Sequence, residues 1–468
     1  MFKIIQGGMG VSVSSWRLAN AVSRLGQLGV VSGTGIGTVL AARLAQGDQG
    51  GHIRRALDAF PFPQSAERVW RRYYTEGGRQ PEEGLPRPPM WTINPPAELE
   101  ELTVVANFVE VWLAKEGHKN PVGINLLEKV QLPTMASLYG AMLAGVDVVL
   151  MGAGIPLQVP GILDALARHK TTQYRLDVLG ATQDYVIRFD PRRLFPLDDE
   201  APALRRPLFF PIISSNTLAQ ALLKRANGRI DGFVVETPVA GGHNAPPRQA
   251  AFNDKGEPIY GDKDRVDYTK LKALGLPFWI GGGYGSAKGL RAALAEGAEG
   301  VQVGTAFAYC DESGMAQPYK EAVLRLALRE EVTVTTSARV SPTGFPFKVV
   351  HVPGTLSDGA VYEARERICD MGFLRHLYQE AEGKVGYRCP AAPVAGYVKK
   401  GGAPEDTEGR MCLCNGLGAA AGYAQHKGDG VFEPAIITSG DDVVSIGRFV
   451  RADRLGYSAA DVIRAILG

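Results

Sequence analysis

Phe278-Trp-Ile-Gly-Gly-Gly-Tyr284 and, one helical stretch later, Gly300-Val-Gln-Val-Gly-Thr-Ala306 are the segments that decide the fold. Each is a short apolar run that empties into glycine. Runs of that length bounded by glycine read as buried strands. Between them, Ala287 to Glu296 sets Ala, Leu, Lys and Arg at helical spacing. Strand, helix and strand in succession imply a right-handed crossover between parallel strands.

The same unit recurs outward along the chain. Lys3 to Gln6 leads into Gly7-Gly8-Met9-Gly10, and Gly29 to Ser32 into Gly33-Thr34-Gly35-Ile36-Gly37. Pro121 to Asn125 and Val146 to Met151 follow, the second ahead of Gly152-Ala153-Gly154. Leu208 to Ile213 runs into Ser214-Ser215, and Gly232 to Glu236 into Thr-Pro-Val-Ala-Gly-Gly-His243. With the final pair this makes eight strand candidates, which predict a closed (β/α)8 TIM barrel with its active site on the loops after the strands. A doubly wound open sheet is the alternative.

Two stretches break the repeat. Residues 52–96, rich in Arg and Pro, read as a lid-like excursion after the second unit, and residues 175–189 as an inserted hairpin. Beyond about Thr335 the alternation ends. Residues 336–468 are expected to be an appended, mostly helical region, with helices over Glu363 to Glu382 and Ala459 to Leu467, packed on a barrel of residues 1–335.

In barrels, the loops after the seventh and eighth strands often hold a phosphate on backbone N–H groups. Gly281, Gly282, Gly283 and Gly304 supply such a cradle, since a Cβ would hold the phosphate off the amides, and Thr305 adds a hydroxyl. Gly8, Met9, Asn125, Ser214 and Ser215 open onto the same face. A flat, polar, phosphate-tailed ligand fits this ring, and FMN is the natural candidate. Gly33-Thr-Gly-Ile-Gly37 mimics a dinucleotide fingerprint, but the third glycine of that pattern falls at Thr38, so it reads as a barrel turn.

His243 sits past the carboxyl end of the sixth strand, after Gly241 and Gly242, where a scaffold presents chemistry. Imidazole exchanges protons near neutral pH without special surroundings. A lone loop histidine is also a common surface residue, and the neighbouring phosphate loops are what favour catalysis. His52, His118, His169, His351, His376 and His426 show no metal-ligand spacing and read as solvated. Cys369, Cys389, Cys412 and Cys414 could supply four thiolates to zinc or an iron–sulfur cluster. No pair has the usual two-residue gap, so they read as buried reduced thiols with no metal.

Composition bounds the rest. With 45% hydrophobic and 21% charged residues the chain is globular, and a net charge of +2 points to neither nucleic acid nor an anionic membrane. There is no signal core, and five cysteines are an odd count for a disulfide framework; both predict a reducing cytoplasm.

Ile5-Gln-Gly-Gly-Met9, Ala240-Gly-Gly-His243, Ile280-Gly-Gly-Gly283 and Val301-Gln-Val-Gly-Thr305, in this order, resemble the nitronate monooxygenase family, whose barrel and motifs are shared by FMN-dependent enoyl-ACP reductases. The likeness covers roughly residues 1–335. It implies a TIM barrel holding FMN non-covalently, with the phosphate on Gly281–Gly283, Gly304 and Thr305. The ring would face Gly8, Met9 and Asn125, with Gly241 and Gly242 alongside. It makes His243 the catalytic histidine.

The chain departs from the pattern at Gly7-Gly8-Met9, where many members have Gly-Pro-Met, and at Glu236-Thr-Pro-Val before the histidine motif. The expected activity is FMN-dependent oxidation of alkyl nitronates by O2. The alternatives are an NAD(P)H-dependent enoyl-thioester or quinone reductase, and a non-catalytic flavin- or cluster-binding protein.

Overall fold

The computed structural model describes residues 2–80 and 83–468; Pro81 and Glu82, inside the predicted excursion, lie outside the described residues. Eight parallel strands form one sheet: β1 (Ile4–Gln6), β2 (Gly29–Ser32), β3 (Val122–Leu127), β4 (Val148–Gly152), β5 (Leu208–Ile213), β6 (Phe233–Glu236), β7 (Phe278–Gly281) and β8 (Gly300–Val303). Strand β1 pairs with β8 at Ile5–Gln302, and the order runs round to β2. A parallel bridge between Ile5 and Leu28 joins β1 to the start of β2, with Leu28 N–H donating to Ile4 O at 3.0 Å. The sheet is therefore a closed TIM barrel, and all eight predicted strands are in it.

Closure follows from side-chain chemistry. Alternate residues of apolar strands must bury on both faces of the sheet. Inside the barrel, Ile5, Val30, Leu150, Phe210, Val234 and Trp279 form one core, with Trp279 stacked between Phe2 and Phe210 at centroid distances of 5.1 and 5.0 Å. Outside, the other face packs under helices such as Ala97–Lys115 and Thr134–Leu143. The filled interior leaves only the carboxyl end of the strands open for a site.

The predicted hairpin is present as Thr172–Arg175 antiparallel to Val186–Phe189. Residues 52–96 contain two helices, His52–Asp58 and Pro63–Tyr73, whose buried faces join the main core. Two expectations need correction. Residues 336–468 are not mostly helical: the helix foreseen over Glu363 to Glu382 is confined to Gly359–Ala364, and His376–Gln379 is a strand paired with Val385–Arg388. The helix ends where Arg365 turns extended, at φ −70° and ψ 128°. His169 is not solvated: it is 3% exposed, its ring Nδ1 2.8 Å from Tyr139 Oη and its Nε2 3.0 Å from Pro202 O.

The C-terminal residues lie across the open end of the barrel. Strand Val334–Ser337 pairs with Phe347–Val350, and this hairpin bridges onto the loop after β6 through Phe347 and His243. Ala435, Ile437, Val443 and Tyr457 belong to the same buried core as the barrel helices. Among the described residues, no helix is long and apolar enough to cross a membrane.

Candidate active site

A cavity of about 230 Å³ opens at the carboxyl end of the strands. Its wall brings together Gly8, Met9, Asn125, Gly241, Gly242 and His243, together with Gly281, Gly282, Gly283, Gly304 and Thr305. Ser214 is not part of it: it lines a smaller adjoining pocket with Thr237, Asn244 and Arg248. Ser215 is taken up by local structure, its hydroxyl capping helix Asn216–Arg225 by accepting from Leu218 N–H at 3.2 Å.

Two glycines are required by close approach. A Cβ on Gly8 would lie 2.2 Å from Asn125 Cβ, so Gly8 is small because the β3 side chain fills its place. Gly282 has φ +92°, and a Cβ there would lie 2.3 Å from Thr237 Oγ1 and 2.8 Å from Ala240 N. The glycine turn after β7 thus lies directly against the loop that carries His243.

His243 is oriented from the C-terminal hairpin. Its Nε2 is 2.7 Å from Ser341 Oγ, and its ring meets Phe347 edge-on at 4.9 Å. Lys348 N–H donates to Gly242 O at 3.0 Å and Asn244 N–H to Pro346 O at 2.9 Å. Burial lowers the His243 pKa to about 4, so the imidazole is neutral at pH 7.

Glu236, at the end of β6, lines the same cavity. Burial raises its pKa to about 8, against a hydrogen bond from Asn244 that favours the charged form. It is protonated at neutral pH and can donate as well as accept. A carboxylic acid and a neutral imidazole thus sit on one wall.

Motif reading gave no role to Gln302, Ser341 and Asp442, and marked Glu236 only as the start of an unusual lead-in to the histidine motif. Gln302 stands inside the β8 motif, and its Oε1 is buried in the cavity with no hydrogen-bond partner. Its polar side chain amid apolar strand neighbours was a usable signal. Ser341 and Asp442 lie far along the chain and carried none. Asp442 alters the expectation for Thr305. The Thr305 hydroxyl accepts from Gly440 N–H at 3.1 Å and is hydrogen-bonded to Asp442. Its hydroxyl is therefore engaged by the C-terminal segment, which packs over the turn after β8. Burial raises the Asp442 pKa, and nearby Arg448 opposes that shift.

The cavity suits a flavin mononucleotide in most respects. It has a glycine cradle that a Cβ would fill and, in Gln302, an orphaned acceptor able to take a ring N–H. Asp442 is the one group that opposes a phosphate. Among the described residues, no three His, Cys, Asp or Glu side chains close on a point where a metal ion could sit.

Comparison with known proteins bears on this arrangement. Residues 197–343 match the family model described as Nitronate monooxygenase. That segment is similar to the nitronate monooxygenase family. The family segment holds β5 to β8, Glu236, His243, Gln302 and both glycine turns. The chain is 34% identical to Nitronate monooxygenase of Pseudomonas aeruginosa over 152 residues, 32% of this chain and 41% of that protein. It is 31% identical to Nitronate monooxygenase of Paraburkholderia phytofirmans over 196 residues, 41% of this chain and 50% of that protein. The chain thus matches half or less of the length of these relatives. Among solved structures, FabK from Thermotoga maritima superposes with a TM-score of 0.49 at 16% identity, covering 100% of this chain and 91% of that one. Nitroalkane oxidase from Streptomyces ansochromogenes gives 0.46 at 16% identity, covering 99% and 94%.

Proposed function

We propose that the chain is an FMN-dependent oxidoreductase that oxidises alkyl nitronates with O2. The observation that carries this reading is the meeting of His243 with both glycine turns and Gln302 in one cavity, within the segment that matches the family. FMN, when bound, would supply the redox chemistry, and the protein supplies position and electrostatics. Gly282, Gly283 and Gly304 would hold the phosphate, with Gly8, Met9 and Asn125 under the ring and Gln302 Oε1 as an acceptor.

A nitronate is already an anion, so the site needs donors more than a strong base. Protonated Glu236 can donate to a nitro oxygen. Neutral His243, held by Ser341, can hydrogen-bond the substrate without adding charge. The C-terminal hairpin keeps water from this wall.

His243→Ala should keep flavin and lose turnover by about 10²–10⁴-fold, the usual range for a positioned proton-transfer or hydrogen-bonding group. Full activity of the variant on every wild-type substrate would remove His243 from the mechanism.

One observation favours a second reading, an NAD(P)H-dependent reductase of an enoyl thioester or quinone. The cavity roof is apolar, built by Phe347, Phe373, Leu413, Leu417 and Ile436, and suits an acyl chain or a quinone ring more than a small nitronate. Anaerobic mixing separates the two: rapid flavin bleaching by NADH or NADPH supports the reductase. Bleaching by a nitronate alone supports the oxidation.

A further inference from the structure

A second, smaller cavity adjoins the one that contains His243. It measures about 30 Å³, room for about two water molecules or the tip of a chain. Thr34, Leu127 and Phe373 line both spaces, so the two share one wall. The pocket is built by parts of the chain to which the catalytic reading gives no task. The turn Gly33-Thr34-Gly35-Ile36-Gly37 after β2 forms one side. Arg87, Pro88, Pro89 and Trp91 of the Arg- and Pro-rich excursion form another, and Asp370, Met371 and Phe373 of the C-terminal region a third.

These parts are fastened to one another. Arg87 pairs with Asp370 at 3.3 Å, Arg375 Nη2 donates to Trp91 O at 2.5 Å, and Ile93 N–H donates to Tyr387 Oη at 2.9 Å. Residues 84–96 form neither helix nor strand, yet these bonds hold them against the C-terminal region as one wall.

Most of the lining is apolar. Ile36, Leu99, Leu102, Leu126, Val130 and Met371 are each at most 6% exposed. Thr103 and Thr134 direct their hydroxyls to carbonyls one turn back, Leu99 O and Val130 O, each at 2.9 Å. Asn107 differs. It is 1% exposed, its Nδ2 donates to Thr103 O at 2.8 Å, and its Oδ1 has no hydrogen-bond partner among the described residues. A buried acceptor is costly to leave unpaired, so the pocket calls for a donor. A water needs two to four polar partners, and the threonines beside Asn107 are already engaged. One donor at the end of an apolar chain suits these walls better. Asn107 lines the smaller pocket and not the larger cavity, so a group held beside His243 does not supply that donor.

We propose that the smaller pocket is a substrate subsite. It receives the end of an unbranched apolar chain that closes in a hydroxyl or an amide N–H, with Asn107 Oδ1 as the acceptor. Phe373 is the partition the chain passes. It sits in the loop between Gly359–Ala364 and His376–Gln379, and its ring edge faces Gly35, where a Cβ would lie 3.5 Å from Phe373 Cε2. The reacting head stays beside His243, and the apolar roof of the larger cavity covers the chain between. This rests on the reading of the larger cavity as the substrate site, and it makes the substrate a long-chain compound in place of a small nitronate.

The probes are n-hexanol and methyl pentyl ether, which match in size, while only the alcohol can donate a hydrogen bond. Their binding to the purified full chain is measured by titration calorimetry. The wild type should hold the alcohol about fivefold more tightly than the ether, the worth of one net hydrogen bond. Asn107→Leu removes an unpaired acceptor, so it should fold at least as well and bind the two probes alike. Gly37→Ala tests the space. Gly37 lines the pocket, and a Cβ there would meet Leu102 Cγ at 3.6 Å and Thr103 Oγ1 at 3.7 Å, ordinary contacts. Its methyl should leave the fold intact and weaken hexanol by at least about fourfold, the burial of one methylene. Both variants should oxidise the nitronate of nitroethane at the wild-type rate, because neither residue lines the larger cavity. Equal binding of alcohol and ether by the wild type overturns the subsite. So does an alcohol advantage that survives Asn107→Leu, or hexanol affinity untouched by Gly37→Ala. Nitronate turnover in those cases leaves the functional reading standing. Discrimination between the probes as expected, with no nitronate turnover by the wild type, supports the subsite and overturns the nitronate reading.

Discussion

Glu236 ends β6 and His243 ends the loop that follows, and burial drives both towards neutrality. Their effects on stability have opposite pH signs. The His243 pKa falls from 6.5 to about 4, so its contribution is present above pH 6.5 and is lost as pH falls towards 4. The Glu236 pKa rises from 4.5 to about 8, so its contribution is complete below pH 4.5 and is lost as pH rises to about 8. Between those limits each pH unit costs up to about 1.4 kcal/mol through Glu236. Glu236→Gln cannot ionise, so its urea midpoint should hold steady from pH 6.5 to 8, where His243 is neutral in both folded and unfolded chains, while that of the wild type falls. Parallel curves for the two proteins would show that Glu236 ionises freely in the folded state. Asp442 invites a second measurement. Its carboxyl stands at the turn that would receive a phosphate, and it charges as pH rises. FMN affinity of the wild type should therefore weaken with rising pH, and Asp442→Asn should remove that dependence in a titration followed by flavin fluorescence.

The two glycine turns test different things at the level of elements. Gly282 is in the left-handed region and its Cβ would strike Ala240 N, so Gly282→Ala should destabilise the fold by about 1–3 kcal/mol. Gly304 has φ −105°, and its Cβ would find only Met9 Sδ at 3.5 Å, an ordinary contact. Gly304→Ala should melt like the wild type yet bind FMN at least about tenfold more weakly, because the methyl enters the space that a phosphate needs. Unchanged FMN affinity would place the phosphate elsewhere. These turns were legible in the sequence because a buried parallel strand followed by glycine is a local pattern. The strands were legible for the same reason, since Phe278-Trp-Ile and Gly300-Val-Gln-Val need no distant partner to be recognised. The hairpin that orients His243 was not: Ser341 and Phe347 act through contacts with a loop about a hundred positions earlier. Nor was the end of the helix at Ala364, because Glu363 to Glu382 carries enough helix-forming residues to read as one helix. Ser214 was misplaced for a related reason, since its neighbour Ser215 caps a helix and turns the segment off the cavity.

For the whole molecule, the decisive fact is that the C-terminal residues complete the barrel's core and the site together. Tyr457 Oη donates to Ala306 O at 2.8 Å, and Tyr309 Oη lies 2.8 Å from Ser439 Oγ; both tyrosines are buried. Lys348 N–H donates to Gly242 O and Asp441 N–H to Val239 O, each at 3.0 Å, and Gly440 N–H donates to Thr305 Oγ1 at 3.1 Å. A region merely resting on a finished barrel would share few buried polar bonds with it. Burying one partner of such a bond without the other costs about 1–3 kcal/mol each, and exposing Ala435, Ile437, Val443 and Tyr457 adds apolar surface at about 25 cal/mol per Å². A total of 5–15 kcal/mol is typical of a whole domain, so losing several of these contacts together is enough to unfold the barrel. A chain ending at residue 335 should therefore be insoluble or lack fixed tertiary structure, not persist as a free barrel. In the intact protein, near-ultraviolet circular dichroism and flavin release should follow one urea transition with a single midpoint. Two separated transitions, or a folded 1–335 fragment that still binds FMN, would show instead that the barrel stands alone and that the C-terminal residues only cover it.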